Sequence, residues 1–148
     1  MTDYAAVEED LQRALADASG TEAMTRLVSI LKARLPHYTW VGIYCREGDD
    51  LVLGPFLGKP SPHTRIPIGR GICGAAAAAG ETIVVDDVDA DERYLACSIE
   101  TRSEIVVPVM RAGHVVAELD VDSDARAAFG PQDRRLLETA AALLAEKL

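Results

Sequence analysis

The side chains best suited to chemistry lie in the second half of this chain. Cys73 stands in the segment Arg-Ile-Pro-Ile-Gly-Arg-Gly-Ile-Cys-Gly, and Cys97 stands in Tyr-Leu-Ala-Cys-Ser. Three carboxylates follow: Glu104 in Ser-Glu-Ile-Val-Val-Pro, and Asp120 and Asp122 in Glu-Leu-Asp-Val-Asp-Ser. A thiolate is a nucleophile, and a carboxylate binds an ammonium group or transfers a proton. The set suits thiol chemistry on a small zwitterion.

The cysteines differ in their expected surroundings. Cys97 lies in a long loop, where a substrate can reach its thiol. Cys73 lies in the first turn of a short Ala-rich helix, where the helix dipole would favour the thiolate; the alternative is a small residue that fills space beneath that helix. Cys45 shares a strand face with Val41 and Ile43, so we expect it to be a small buried hydrophobe.

Two of the carboxylates lie together on the last predicted strand. Asp120 and Asp122 share one face, and Val121 points to the other. Carboxylates on one side of an otherwise apolar strand cost free energy unless they are paired, hydrogen-bonded or bound to a cation. Capture of an ammonium group meets that need, and solvation at the strand end is the alternative. Glu104 would donate a proton if its pocket raises its pKa, and is otherwise a strand-end acid.

Two aromatic residues on the first predicted strand complete the candidate site. Trp40, Gly42 and Tyr44 share one strand face. The glycine leaves a gap with aromatic walls that suits a small ligand. Ordinary core packing of the two rings is the alternative.

The elements that must position these residues predict an α+β fold. Val7, Leu11 and Leu15 mark a first helix that Gly20 ends, and Thr21 caps a second helix. Helices at both ends then flank a meandering, mainly antiparallel sheet. The segments between them are predicted as strands 39–45, 51–56, 64–68, 81–85, 104–111 and 114–121, a helix at 71–79, a long loop at 86–101 and a last helix from 131 to about 148.

Composition and charge restrict the partners and the compartment. The 148 residues, 49% hydrophobic and 26% charged, fit a single domain spanning 1–148. A net charge of −9 without a basic patch argues against nucleic acid or an anionic membrane surface as partner. No apolar run approaches the ~20 residues of a membrane span. The N-terminal segment is acidic and lacks the basic region with which a signal peptide begins. We therefore expect a cytoplasmic protein with free thiols.

Motifs for cofactors and metals are weak. The segment Gly69-Arg-Gly-Ile-Cys-Gly74 fits G-x-G-x-x-G but opens no βαβ unit, so it does not indicate a dinucleotide site. The chain has no C-x-x-C and no close histidine pair. We expect neither a cofactor nor a metal.

From about Tyr38 to Asp133 the chain resembles the GAF-domain free methionine-(R)-sulfoxide reductases. The matching stretches are Trp-Val-Gly-Ile-Tyr, Leu-Val-Leu-Gly-Pro-Phe-Leu-Gly-Lys-Pro, the Cys73 and Cys97 segments, Ser-Glu-Ile-Val-Val-Pro and Leu-Asp-Val-Asp-Ser. Several motifs in one order make the resemblance specific. It implies a single GAF-like domain that reduces free methionine-(R)-sulfoxide to methionine.

The resemblance also implies roles for the candidate residues. Cys97 matches the nucleophile, which attacks the sulfoxide sulfur so that methionine leaves and a sulfenic acid remains. Cys73 matches a second thiol, which would form a disulfide that a thioredoxin-type reductant reopens. The substrate contacts of the family match Trp40, Tyr44, Glu104, Asp120 and Asp122.

One position departs from that family pattern. His63 stands where the family commonly has the resolving cysteine. Either Cys73 resolves, or an external thiol reduces the sulfenic acid, or turnover is lost and a pocket remains. His63 would lower the pKa of Cys97 if the two are close; a surface-loop histidine is the alternative.

Two further hypotheses concern the class of protein and its assembly. The rival to the enzyme is a GAF-type module that binds an amino-acid-like ligand. An apolar stripe on the last helix would support a homodimer. Its members are Leu136, Leu137, Leu143 and Leu144.

Overall fold

A computed structural model of the chain describes residues 1–95 and 98–148, so Cys97, the predicted nucleophile, lies outside the described residues. In chain order the elements are α1 (Tyr4–Leu15), α2 (Gly20–Arg34), β1 (Trp40–Glu47), β2 (Asp50–Leu57), β3 (Arg65–Pro67), α3 (Gly71–Ala79), β4 (Ile83–Val85), β5 (Ser103–Arg111), β6 (His114–Ser123) and α4 (Pro131–Ala145).

The six strands form one antiparallel sheet in the order β3-β2-β1-β6-β5-β4. β6 therefore lies in the middle of the sheet, hydrogen-bonded to β1 on one side and to β5 on the other. The predicted α+β arrangement, with a mainly antiparallel sheet and helices at both ends, is confirmed.

One face of the sheet is covered by α1, α2 and α4. The apolar residues that alternate along β1, β5 and β6 point to this side and are buried there, among them Ile43, Ile105 and Leu119. Full burial of each such side chain contributes about 1.5–3 kcal/mol. Leu136, Leu137 and Leu144 of α4 are buried in the same layer. Because these leucines pack inside the chain, that stripe is not available for the dimer interface expected from it.

The other face is covered by α3 and by the loops around it. Cys73, Ala76 and Ala77 of α3 are buried on this side. A Cβ on Gly74 would lie 2.7 Å from the carbonyl oxygen of Pro67, so a glycine is required where α3 crosses the end of β3. The glycines of the G-x-G-x-x-G motif thus include one that is needed for packing.

Two predicted boundaries are wrong, both for non-local reasons. α1 ends at Leu15, and Gly20 opens α2, with Ser19 rather than Thr21 at the N-cap position. The amide of Gly20 donates to the carbonyl of Lys147, 2.8 Å away, so the end of the chain positions this connection. None of the described helices is long and apolar enough to cross a membrane.

Strand β6 is also longer than predicted. It continues to Ser123 because Ser103 pairs with it at that end, while Trp40 pairs with Asp122. Asp122 is therefore flanked by strands on both sides rather than placed at a free strand end.

Candidate functional site

The acidic residues of β6 lie on the α3 side of the sheet. Asp120 is opposite Gly42 of β1, and Asp122 is opposite both Trp40 of β1 and Glu104 of β5. Only 1% of Asp120, 2% of Asp122 and 4% of Glu104 is exposed. Solvation at a strand end, the alternative for the two aspartates, is therefore wrong.

Three of the predicted site residues meet in one cluster. The Cys73 thiol donates to Asp120 Oδ2 at 3.5 Å. A sulfur or carboxylate oxygen from each of Cys73, Glu104 and Asp120 lies within 4.8 Å of the other two. We call these three residues the thiol–acid cluster. They come from α3, β5 and β6, so only the folded chain brings them together.

Burial changes the acid–base chemistry of the carboxyl groups. Desolvation, followed by the neighbouring Asp120 and Asp122, raises the pKa of Glu104 well above its usual range. Desolvation likewise raises the pKa of Asp122, with Asp120 as the next cause. Desolvation raises the pKa of Asp120 as well, but hydrogen bonds from Glu104 and Cys73 oppose that rise. Asp120 is therefore the natural acceptor of the cluster, and Glu104 is the natural carrier of a proton.

The pKa of the Cys73 thiol is raised, whereas the position of Cys73 in the first turn of α3 was expected to favour the thiolate. Burial raises its pKa well above the usual value, and Asp120 and Glu104 raise it further. The effect of the surrounding acids and of desolvation therefore outweighs the helix dipole that was expected to favour the thiolate. Cys45 points to the helix-covered face as predicted, and its sulfur contacts Met24 Sδ at 3.6 Å there, but it is only partly buried.

The aromatic pair is built differently from the predicted open gap. A Cβ on Gly42 would lie 2.3 Å from Cη2 of Trp40, so the indole itself occupies the space over the glycine. Trp40 stacks on Phe56 at 5.7 Å between ring centroids, and its Nε1 donates to the Lys59 carbonyl at 2.9 Å. The hydroxyl of Tyr44 donates to the carbonyl of His63 at 2.8 Å. Both rings are held in fixed orientations.

The aromatic residues line two cavities on this face. Trp40 and Asp122 line a cavity of about 330 Å³, together with Lys59 and Thr101. Tyr44 lines a second cavity of only about 10 Å³, together with the thiol–acid cluster and His63. Asp122 lines the first cavity and Glu104 the second, and the two residues are paired across β5 and β6, so the cavities are adjacent.

The wall of the larger cavity includes a salt bridge. Lys59 Nζ lies 2.8 Å from Glu100 Oε1, which joins the end of β2 to the segment that follows Cys97. A groove of about 580 Å³ lies between β5 and α4, and of the predicted site residues that the structure describes, none lines it.

One acid was missed by the sequence analysis. Glu118 is fully buried, and neither of its carboxylate oxygens has a hydrogen-bond partner among the described residues. Burial, with Asp120 as the second cause, raises its pKa to about 9. Glu118 stands two residues before Asp120, so the same alternation that paired Asp120 with Asp122 would have placed it on the site face.

Comparisons with known proteins identify the family. The GAF domain model matches residues 11–148. Free methionine-R-sulfoxide reductase of Escherichia coli (strain K12) is 34% identical over 146 residues, which cover 98% of this chain and 88% of that protein.

Solved structures of similar proteins indicate the same family. The free methionine-R-sulfoxide reductase of Neisseria meningitidis, solved in complex with its substrate, superposes with a TM-score of 0.93 at 39% identity over 97% of this chain and 87% of that one. The reduced form of fRMsr from Staphylococcus aureus superposes with a TM-score of 0.94 at 31% identity over 100% of this chain and 96% of that one. The match to the GAF domain model and the identity to these reductases over nearly the whole chain show that this chain belongs to the GAF-domain family of free methionine-R-sulfoxide reductases.

Proposed function

We propose that this protein reduces free methionine-(R)-sulfoxide to methionine, with Cys97 as the nucleophile. The observation that carries the proposal is the burial of Glu104, Asp120 and Asp122 on one face, beside the Cys73 thiol. Such a cluster costs free energy in the ligand-free protein, and an ammonium group relieves that cost. The Escherichia coli and Neisseria meningitidis relatives bear the name of this activity.

The two cavities suggest how the substrate is held. The cavity of about 330 Å³ is large enough for an amino acid, and Trp40 supplies an apolar wall for the methionine side chain. Asp122 at its edge and Asp120 behind it bind the ammonium group. Tyr44 fixes the inner end of the site through its bond to the His63 carbonyl.

The chemistry follows from the protonation of the acids. Glu104 carries a proton because its pKa is raised, and it donates that proton to the sulfoxide oxygen. The Cys97 sulfur attacks the substrate sulfur, the S–O bond breaks, and the oxygen ends on Cys97 as a sulfenic acid while methionine leaves. Thiol plus sulfoxide thus gives sulfenic acid plus thioether, with no net gain or loss of protons.

The second half of the cycle needs another thiol. Attack by Cys73 on the sulfenic sulfur would release water and form a Cys73–Cys97 disulfide, which a thioredoxin-type dithiol then reduces with two electrons. Burial and the contact with Asp120 hold Cys73 as the neutral thiol, which is a poor nucleophile. Resolution by Cys73 therefore requires that contact to break, and direct reduction by an external thiol is the alternative.

The test of the nucleophile is direct. Wild type, Cys97→Ser and Cys45→Ser are each supplied with free methionine-(R)-sulfoxide and dithiothreitol, and released methionine is measured. We expect turnover in wild type and in Cys45→Ser, whose side chain lies on the opposite face, and none in Cys97→Ser. Full activity of Cys97→Ser would show that the nucleophile is another group. Binding without turnover in wild type would favour the ligand-binding module.

The resolving step has its own test. Cys73→Ser should lose more activity with thioredoxin as the reductant than with dithiothreitol, because only the small dithiol can reach a sulfenic acid that lacks an internal partner. Equal losses with the two reductants would assign resolution to an external thiol.

A further inference from the structure

The thiol–acid cluster has the donor set of a metal site. One atom each from Cys73, Glu104 and Asp120 lies within 4.8 Å of the other two, and all three residues are buried. Cys73 lies on α3, Glu104 on β5 and Asp120 on β6, so the fold itself holds the three groups together in the absence of a ligand. No local motif indicates this set, because metal motifs are recognised by short spacings and these residues lie at positions 73, 104 and 120.

A second observation points to a missing cation. Asp120 Oδ1 is buried without a hydrogen-bond partner in the described parts of the chain, and so is Asp122 Oδ1. Both oxygens of Glu118, two residues before Asp120 on the same face, are also buried and unpartnered. No lysine or arginine forms an ion pair with any of these acids within residues 1–95 and 98–148. This face of β6 therefore has buried acceptor atoms that the described residues leave without a donor.

The donor types select the cation. Cys73 would lose its thiol proton on binding a metal ion, and a sulfur ligand of this kind does not suit calcium or magnesium, which take oxygen ligands, but favours zinc or a similar borderline ion. Zinc holds sulfur at about 2.3 Å and carboxylate oxygen at about 2.0–2.2 Å, which places its ligands roughly 3.5 Å apart. The Cys73 sulfur and Asp120 Oδ2, 3.5 Å apart, already have that spacing, and the Glu104 oxygen lies within 4.8 Å of both ligand atoms. The adjoining cavity of about 10 Å³ has room for a single small ligand such as water in a fourth position.

We propose that Cys73, Glu104 and Asp120 form a three-ligand binding site for Zn²⁺, with a fourth position open to water. Binding of the ion stands independently of the reductase activity. Its consequence for turnover rests on the proposed function: an ion bound to Asp120 and Cys73 removes both the acceptor for the substrate's ammonium group and the candidate resolving thiol. Zinc would then inhibit the enzyme in competition with substrate.

The experiment measures metal binding without turnover. Reduced, metal-free protein carrying Cys97→Ser, so that this second thiol cannot capture the ion, is titrated with Zn²⁺ against a chromophoric chelator. We expect one zinc ion per chain. Adding Cys73→Ser or Glu104→Gln to this background should weaken binding about tenfold or more, whereas adding Cys45→Ser should leave it unchanged.

Cobalt supplies the signature that identifies the thiolate. Co²⁺ in the Cys97→Ser background should produce a sulfur-to-metal charge-transfer band that persists with Cys45→Ser and disappears with Cys73→Ser. Circular dichroism verifies that each variant is folded, and the isosteric Glu104→Gln tests the site if Cys73→Ser does not fold. Absence of stoichiometric zinc in the Cys97→Ser background, or binding unaffected by both cluster substitutions, would overturn the proposal. Failure of reductase activity alone would leave these binding results intact and would count only against the proposed function.

Discussion

The two faces of the central sheet have opposite energetics although they share the same strands. Leu119 and Val121 of β6 point into the layer of α1, α2 and α4, where they belong to a large apolar cluster and burial stabilises the fold. Glu118, Asp120 and Asp122 alternate with them and point towards α3, where burial penalises each charge. The helix-covered face therefore stabilises the domain through apolar burial alone, whereas the α3 face combines an apolar cluster with acids whose burial costs free energy.

The largest expected effect is a loss of stability when a residue buried on the helix-covered face is truncated. Leu119→Ala should lower the free energy of unfolding by about 2–5 kcal/mol, because it leaves a cavity in a fully buried layer. Chemical denaturation measures the change. Leu57→Ala, at a half-exposed position, is the matched control and should cost less than about 1 kcal/mol. The folded Leu119→Ala protein should keep its specific activity; loss of activity without loss of stability would contradict the division between the faces.

The next effect concerns the acid face. Asp122→Asn should lower kcat/KM for methionine sulfoxide about a hundredfold, since a charge-assisted contact to the ammonium group is worth about 1.5–3 kcal/mol. The same change should not lower stability, because it removes a buried charge. Steady-state kinetics and denaturation on one preparation test both parts. Asp49→Asn, in the exposed turn before β2, is the control. If Asp122→Asn lost stability but kept kcat/KM, Asp122 would have a structural role and not a role in substrate binding.

The smallest expected effect is a pH dependence of the stability that arises from Glu118. Its folded-state pKa is raised to about 9, above its unfolded value near 4.3, so the folded state holds a proton that the unfolded state releases. The stability that this group contributes is therefore fully present below about pH 4 and is lost as the pH rises towards 9. Glu118→Gln cannot titrate, so its free energy of unfolding relative to that of wild type should rise over that interval, by about 2 kcal/mol between pH 4 and pH 6.

Denaturation of wild type and Glu118→Gln at several pH values gives this difference directly. Glu47→Gln, at the exposed end of β1, is the surface control for the substitution itself. A constant difference between wild type and Glu118→Gln across the pH range would show that Glu118 titrates normally.

Local patterns predicted much of the fold and the membership of the site face. Helix α3 was predicted at its observed residues because a run of alanines lies between two glycines. Alternation along β1 and β6 correctly placed Trp40 with Tyr44 and Asp120 with Asp122. These features depend on periods of two or on local propensity, which a single segment contains in full.

The rest depended on contacts between distant segments. No local pattern shows that β6 lies between β1 and β5, and only that position buries Asp122. The meeting of Cys73 with Asp120, and the resulting rise in the pKa of the thiol, require α3 to fold across the sheet. The same holds for Gly20, whose role in opening α2 follows from its bond to Lys147.

The side chain of Asp133 has a consequence for how the domain is made. Its Oδ1 accepts hydrogen bonds from the hydroxyls of Tyr4 and Tyr38 and contacts His37 Nε2, so it joins α4 to the beginning of the chain across 129 positions. Closing so long a loop is entropically costly and comes late in folding. During synthesis, the surfaces of α1 and β5 that pack on α4 therefore stay uncovered until α4 has emerged. Chaperones that shield exposed apolar helices have their longest opportunity in that interval.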